Sequence, residues 1–169
     1  MGTGYDRSII LIGMPAVGKS TVGVLLAKAT GLDFVDTDVC IQAGENRGLQ
    51  EIIDSDGLEA FLRTEEQYIL RLDISLRVVA TGGSVVYGDA AMRRLKAAGP
   101  AVYLRLGIDE IRRRIRNMAM RGVVIGPGQT LEGLYQQRRP LYEKWSDITI
   151  DCDGKDTEQV VSEILTRLR

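Results

Sequence analysis

The chain has 169 residues, 44% hydrophobic and 27% charged, with a formal net charge of -1. That length suits one compact domain, residues 1–169, with a core large enough to need no disulfide staples. The balanced charge gives no general pull toward nucleic acid or membrane. The sequence contains no His, so a general base must be a carboxylate, Lys or Tyr, and His-containing zinc sites are excluded.

The predicted elements alternate strand and helix. Ser8 to Ile12 reads as a buried strand. A helix follows from Lys19, with Val22, Leu25, Leu26 and Ala29 on one face and Gly31 placed to end it. Asp33 to Asp36 is a short second strand, and Leu58 to Leu72 a charged amphipathic helix. Arg77 to Ala80 is a third strand, ending at Thr81-Gly82-Gly83. Asp89 to Ala98 is a helix stopped by Gly99-Pro100. Ala101 to Leu106 is a fourth strand, and Ile108, Ile111 and Ile115 mark the next helix. Asp147 to Asp151 is a fifth strand. Val160, Val161, Ile164, Leu165 and Leu168 mark a closing helix. Five strands separated by helices predict an α/β fold with a mostly parallel sheet and ligands at the strands' carboxyl ends. Met118 to Thr130 is Gly-rich without helical period, and a loop of that length is expected to be a lid. The apolar run Ile9 to Ile12 is too short to cross a bilayer and lacks the shape of a secretory signal, so the cytoplasm is the default expectation. Cys40 and Cys152 lack metal spacing and are expected to pack, as is Trp145.

Gly13-Met14-Pro15-Ala16-Val17-Gly18-Lys19-Ser20 matches G-x-x-x-x-G-K-[ST] at every fixed position. The glycines let backbone N–H groups turn toward phosphate oxygens, and the helix start adds its positive dipole end. Lys19 then reaches the β and γ phosphates, and Ser20 offers its hydroxyl to Mg²⁺. The motif follows a predicted strand and opens a predicted helix, the context that distinguishes an ATP site from a chance match. Asp36 and Asp38 lie two apart at the end of the second strand, which would turn both carboxylates into one crevice. One would help hold Mg²⁺ and the other take a proton from an attacking hydroxyl. The plainer alternative is that one of them caps the next helix. Arg63, Arg114, Arg121 and Arg138, taken singly, read as surface residues.

The ordered set resembles the shikimate kinase family, within the nucleoside-monophosphate-kinase-like branch of P-loop proteins. The resemblance rests on the P-loop through Thr21, on Asp36 and Asp38, and on an Arg with Glu three residues on, matched to Arg63 and Glu66. It continues through the glycine turn Gly82-Gly83, the lid arginines Arg114 and Arg121, and Arg138 to Tyr142. It implies a three-layer P-loop fold whose parallel sheet has strand order 2-3-1-4-5. A substrate-binding segment would span about 38–72 and a lid about 118–130. It further implies ATP-dependent phosphorylation of the 3-hydroxyl of shikimate, with Asp38 binding the acceptor hydroxyl and acting as base. Arg63 and Arg138 would clamp the acceptor carboxylate, with Gly82 and the backbone of Gly83 beside the ring. Lys19 and Arg121 would neutralise the transferring phosphoryl group. Gly13, Ala16, Val17, Gly18, Lys19, Ser20 and Thr21 would bind ATP, and Arg114 would lie against adenine. Ser20 and Asp36 would serve Mg²⁺. The chain departs from the family pattern at Ser84, where a third glycine is usual, at Arg121-Gly122-Val123 in the lid, and at Thr157, where Pro is usual. These departures keep two alternatives open: a kinase of the same fold for another hydroxylated acid or cyclitol, and a non-catalytic ATP-binding regulator. A monomer without nucleic-acid or membrane partners is expected.

Overall fold

The computed structural model of the chain describes residues 4–117 and 128–169. Strands β1 (Ile9–Ile12), β2 (Asp33–Asp36), β3 (Arg77–Ala80), β4 (Ala101–Arg105) and β5 (Ile148–Asp151) form one parallel sheet in the order β2-β3-β1-β4-β5. This is the order implied by the P-loop resemblance. The central β1 pairs Ile9 with Val78 on one side and Ile10 with Ala101 on the other. Its four residues are at most 1% exposed, because a parallel strand covered on both faces has no polar side to show.

Helix α1 (Lys19–Thr30) follows β1 and ends at Gly31, whose φ of 74° is left-handed and whose N–H donates to the Ala27 carbonyl. Helices α2 (Thr37–Glu45), α3 (Leu49–Asp56) and α4 (Leu58–Arg71) lie between β2 and β3. The first two fall inside the expected substrate segment but were not separately predicted. Together the three helices enclose a small core of their own, made of Ile41, Leu49, Ile52, Ile53 and Phe61, separate from the main core on the sheet. Helix α5 (Asp89–Ala98) precedes β4, and α6 (Ile108–Asn117) follows it. Helix α7 (Leu131–Trp145) starts on the Thr130 side chain, which accepts from the Gly133 N–H, and carries Pro140 in its interior. Helix α8 (Thr157–Arg167) opens with a reciprocal Asp156–Gln159 capping box.

Trp145 packs partly buried against the main core, and Cys40 and Cys152 are free thiols. The expected lid lies outside the described residues up to position 127. Among the described residues no helix is long and apolar enough to cross a membrane.

Candidate active site

The loop after β1 takes the backbone its sequence predicts. Gly13 has φ 150°, and a Cβ there would sit 2.7 Å from the Leu104 carbonyl oxygen, so only glycine fits. Gly18 (φ 101°) and Ala16 (φ 64°) are also left-handed; the strain at Ala16 carried no sequence signal. Lys19 is 8% exposed, and its Nζ donates to the Gly13 and Met14 carbonyls at 2.8 Å each. Burial lowers its pKa to about 8, opposed by the charge of Asp38. Arg114 reaches over the loop: its Nη1 donates to the Val17 carbonyl at 3.2 Å, and its Nε is held by Glu110 at 2.8 Å. With Thr21, Cys152, Thr157 and Val160 it lines a cavity of about 330 Å³ beside the loop, a fitting place for a flat base.

Asp36 and Asp38 converge, though not as neighbours on one strand. β2 stops at Asp36 and α2 begins at Thr37. Asp36 is the helix cap, its Oδ1 accepting from the N–H groups of Asp38 at 3.0 Å and Val39 at 3.3 Å. Its Oδ2 accepts from the Ser20 hydroxyl at 2.5 Å. The same carboxylate therefore caps α2 and reaches the phosphate loop at Ser20. Ser20 and Asp36 together offer a hydroxyl and a carboxylate oxygen beside the phosphate loop. This donor set fits a small hard cation that retains waters and takes phosphate oxygens. Among the described residues no cluster of three or more acidic or thiol ligands offers a complete protein cage. Asp38 enters the crevice from the first turn of α2. Burial raises its pKa to about 6, against the lowering pull of Lys19.

The turn after β3 is tied at both glycines. The Gly82 N–H donates to the Thr37 hydroxyl at 3.1 Å, and the Tyr142 hydroxyl donates to the Gly83 carbonyl at 2.6 Å. Arg138 stands one turn before Tyr142 on α7 and is 2% exposed. Its guanidinium lies 5.4 Å from the centre of the Tyr87 ring, and its Nη1 would meet a Cβ on Gly83 at 2.9 Å. Glu65 of α4 is also 2% exposed, and its Oε2 accepts from the Ser84 hydroxyl at 2.7 Å. Burial lifts its pKa to about 7, with the Ser84 bond pulling the other way. Lys19, Ser20, Asp38, Gly82, Gly83 and Arg138 line one crevice of about 260 Å³.

Arg63 is not brought to this crevice, and the expectation that it shares a clamp with Arg138 is corrected by the helix phase. Phe61, Glu65 and Ile69 form the buried stripe of α4. Arg63 lies two residues from Glu65, about 200° around the helix. Its side chain is 67% exposed and pairs with Glu59 at 3.0 Å. The Glu on the buried stripe of this helix is Glu65, not Glu66, and three residues before it stands Leu62. The sequence contained the signal for this: a four-residue repeat, Phe61-Glu65-Ile69, with a carboxylate on its apolar face. Thr37 and Tyr142 were missed as positioning groups because their partners are backbone atoms distant in sequence. Arg121 lies outside the described residues.

A family model described as "Shikimate kinase" matches residues 15–169. A shikimate kinase of Thermodesulfovibrio yellowstonii is 38% identical over 162 residues, covering 94% of this chain and 93% of that protein. One from Paracidovorax citrulli is 37% identical over 171 residues, covering 98% and 93%. Among solved structures, the shikimate kinase of Acinetobacter baumannii in complex with shikimate superposes with a TM-score of 0.86 at 27% identity, covering 96% of this chain and 92% of that one. That of Aquifex aeolicus superposes at 0.80 and 30% identity, covering 95% of each. The ordered motifs, the sheet order and these matches over nearly the whole length agree, and the chain belongs to the shikimate kinase family.

Proposed function

We propose that this chain transfers the γ-phosphoryl group of ATP to the 3-hydroxyl of shikimate, giving shikimate 3-phosphate and ADP. The observation that carries the reading is a single crevice holding a phosphate loop with its lysine, a half-buried carboxylate and a buried arginine, Lys19, Asp38 and Arg138. The acceptor oxygen attacks the γ phosphorus, the bond to the bridging oxygen of ADP breaks, and the hydroxyl proton passes to Asp38. Lys19 leaves the loop carbonyls that now occupy it and neutralises charge on the transferring group. Arg138 takes the acceptor carboxylate as a charge-assisted partner. The backbone of Gly83, fixed by Tyr142, lines the acceptor ring, and Gly82 sits beside it.

Gly13 to Thr21 cradle the phosphates, and adenine lies under Arg114. Ser20 and Asp36 would hold Mg²⁺, which would supply charge neutralisation to the ATP phosphates. Arg121 is assigned to the transferring phosphoryl group by resemblance alone. Residues 1–169 act as one domain and as a monomer in the cytoplasm, with no nucleic-acid or membrane partner.

ADP release by purified protein with Mg-ATP, measured with and without shikimate, tests the reading. Shikimate-dependent release is expected; a folded, ATP-binding sample without it would sink the reading. One observation favours a second reading, phosphorylation of a different hydroxylated acid. Arg63 lies outside the crevice, so a carboxylate clamp of Arg63 with Arg138 is missing. A panel of polyhydroxy acids in the same assay separates the two.

A further inference from the structure

The two glycines after β3 each have one acceptor-handling side chain against them. A Cβ on Gly82 would meet Asp38 Oδ1 at 2.6 Å, and a Cβ on Gly83 would meet Arg138 Nη1 at 2.9 Å. Consecutive Cα atoms lie about 3.8 Å apart across a trans peptide. One peptide unit therefore separates the group that takes the hydroxyl proton from the group that takes the acceptor's anion.

The turn is held at both glycines by hydroxyls that are not among the residues lining the crevice. Thr37 and Tyr142 are each 0% exposed. Thr37, the residue before Asp38, opens α2 and accepts from the Gly82 N–H. Tyr142, one turn after Arg138 on α7, donates to the Gly83 carbonyl, and its ring stacks on Tyr103 of β4 with centroids 5.1 Å apart. The start of the turn is fastened to the central strand, where the Thr81 N–H and hydroxyl both donate to the Leu11 carbonyl. On the phosphate side Pro15 closes it in, with Cδ 2.9 Å from the Cβ position of Gly83. Each glycine is thus bonded to the element that carries the side chain lying against it, Gly82 to α2 with Asp38 and Gly83 to α7 with Arg138.

We propose that Thr37 and Tyr142 are positioning residues that make this turn a spacer between Asp38 and Arg138, and so determine which hydroxyl of the acceptor is phosphorylated. An acceptor anchored by its anion at Arg138 presents to Asp38 the hydroxyl at the matching distance. A hydroxyl on the neighbouring ring carbon lies at a different distance from the anion and is passed over. Removing either tie leaves a buried backbone group unmatched and lets Asp38 and Arg138 shift relative to each other. The neighbouring hydroxyl then attacks the γ phosphorus in the same way: ADP leaves, the proton goes to Asp38, and an isomeric phosphate ester results. This rests on the kinase reading and adds to it the origin of its regiochemistry.

The test is the identity of the phosphate esters formed from shikimate and Mg-ATP, resolved by phosphorus NMR and counted against ADP released. Tyr142→Phe and Thr37→Val each delete one hydroxyl and little else, while Thr37→Ser keeps the hydroxyl. Wild type and Thr37→Ser should give a single ester, at the 3-hydroxyl. Tyr142→Phe and Thr37→Val should each give a second, isomeric ester. Their kcat should fall about tenfold to a hundredfold, as for reacting groups misplaced by about 1 Å, with the KM for ATP within about twofold. A hydroxyl with a merely structural role would lower the melting temperature and leave the product single. If the variants, folded and binding ATP, give only the 3-phosphate, the inference is overturned and the kinase reading stands; if one of them fails to fold, the other decides. A mixture of esters from wild type overturns the inference as well. Wild type that forms no ester from shikimate overturns the kinase reading, and this inference with it.

Discussion

Asp38, held up at about 6, and Lys19, held down at about 8, bracket the pH range in which both carry the charge the reaction needs. Asp38 must be deprotonated to accept a proton, so activity is lost as pH falls through about 6. Lys19 must be protonated to neutralise phosphate, so activity is lost as pH rises through about 8. The profile of kcat/KM, which reports the free enzyme, should be a bell between these limits; a flat profile from pH 5 to 9 would remove both assignments. Asp38→Asn should erase the acid limb and lower kcat by about 10²–10⁴-fold, the range for general-base loss, with ATP affinity unchanged by calorimetry. Arg138→Ala removes a charged partner contributing roughly 1.5–3 kcal/mol, so the shikimate KM should rise by one to two orders of magnitude.

At the scale of elements, α4 sets which charges reach the acceptor. Arg63 points into solvent with Glu59, and an exposed pair of this kind contributes only about 0.2–1 kcal/mol. Arg63→Ala should leave shikimate KM within about twofold; a large rise would mean that α4 turns on binding. The junction of β2 and α2 is the other decisive element. Asp36→Ala should cost about 1 kcal/mol as a lost cap, while Asp36→Asn, which still caps, recovers most of it; identical melting of the two variants would refute the capping role. All five strands and the helices after β1, β3, β4 and β5 were legible from apolar runs, glycine stops and periodicity. The α2–α3 hairpin was not, because Asp36-Thr37-Asp38 reads equally well as strand end or helix start until the cap bonds decide. The nucleotide side of the site was legible because a phosphate loop is local in sequence. The acceptor side was misread at Arg63, since matching a charged pair by spacing alone ignored which face of α4 is buried.

For the whole molecule, the buried carboxylates make stability depend on pH. Glu65, with its pKa raised to about 7, contributes stability that is fully present below the ordinary Glu range and lost as pH rises through about 7. Asp38 acts in the same direction through about 6. Glu65→Gln should therefore raise the melting temperature at pH 8 and change it much less at pH 5; equal shifts at both pH values would show that burial of the charge is not the cause. The separate small core beneath α2, α3 and α4 has a wider consequence. The phosphate loop hangs from the central strand of the main sheet, while Asp38, Leu62 and Glu65 ride on a segment with a small core of its own that is joined to the main core through Ile69 and to α5 through Arg94, which donates to the Ile69 and Leu72 carbonyls. Substitutions confined to that segment, between Thr37 and Leu72, are therefore expected to alter the acceptor side more than the phosphate loop. An engineer seeking a new acceptor would transplant the same piece, together with the single outlying position Ser84.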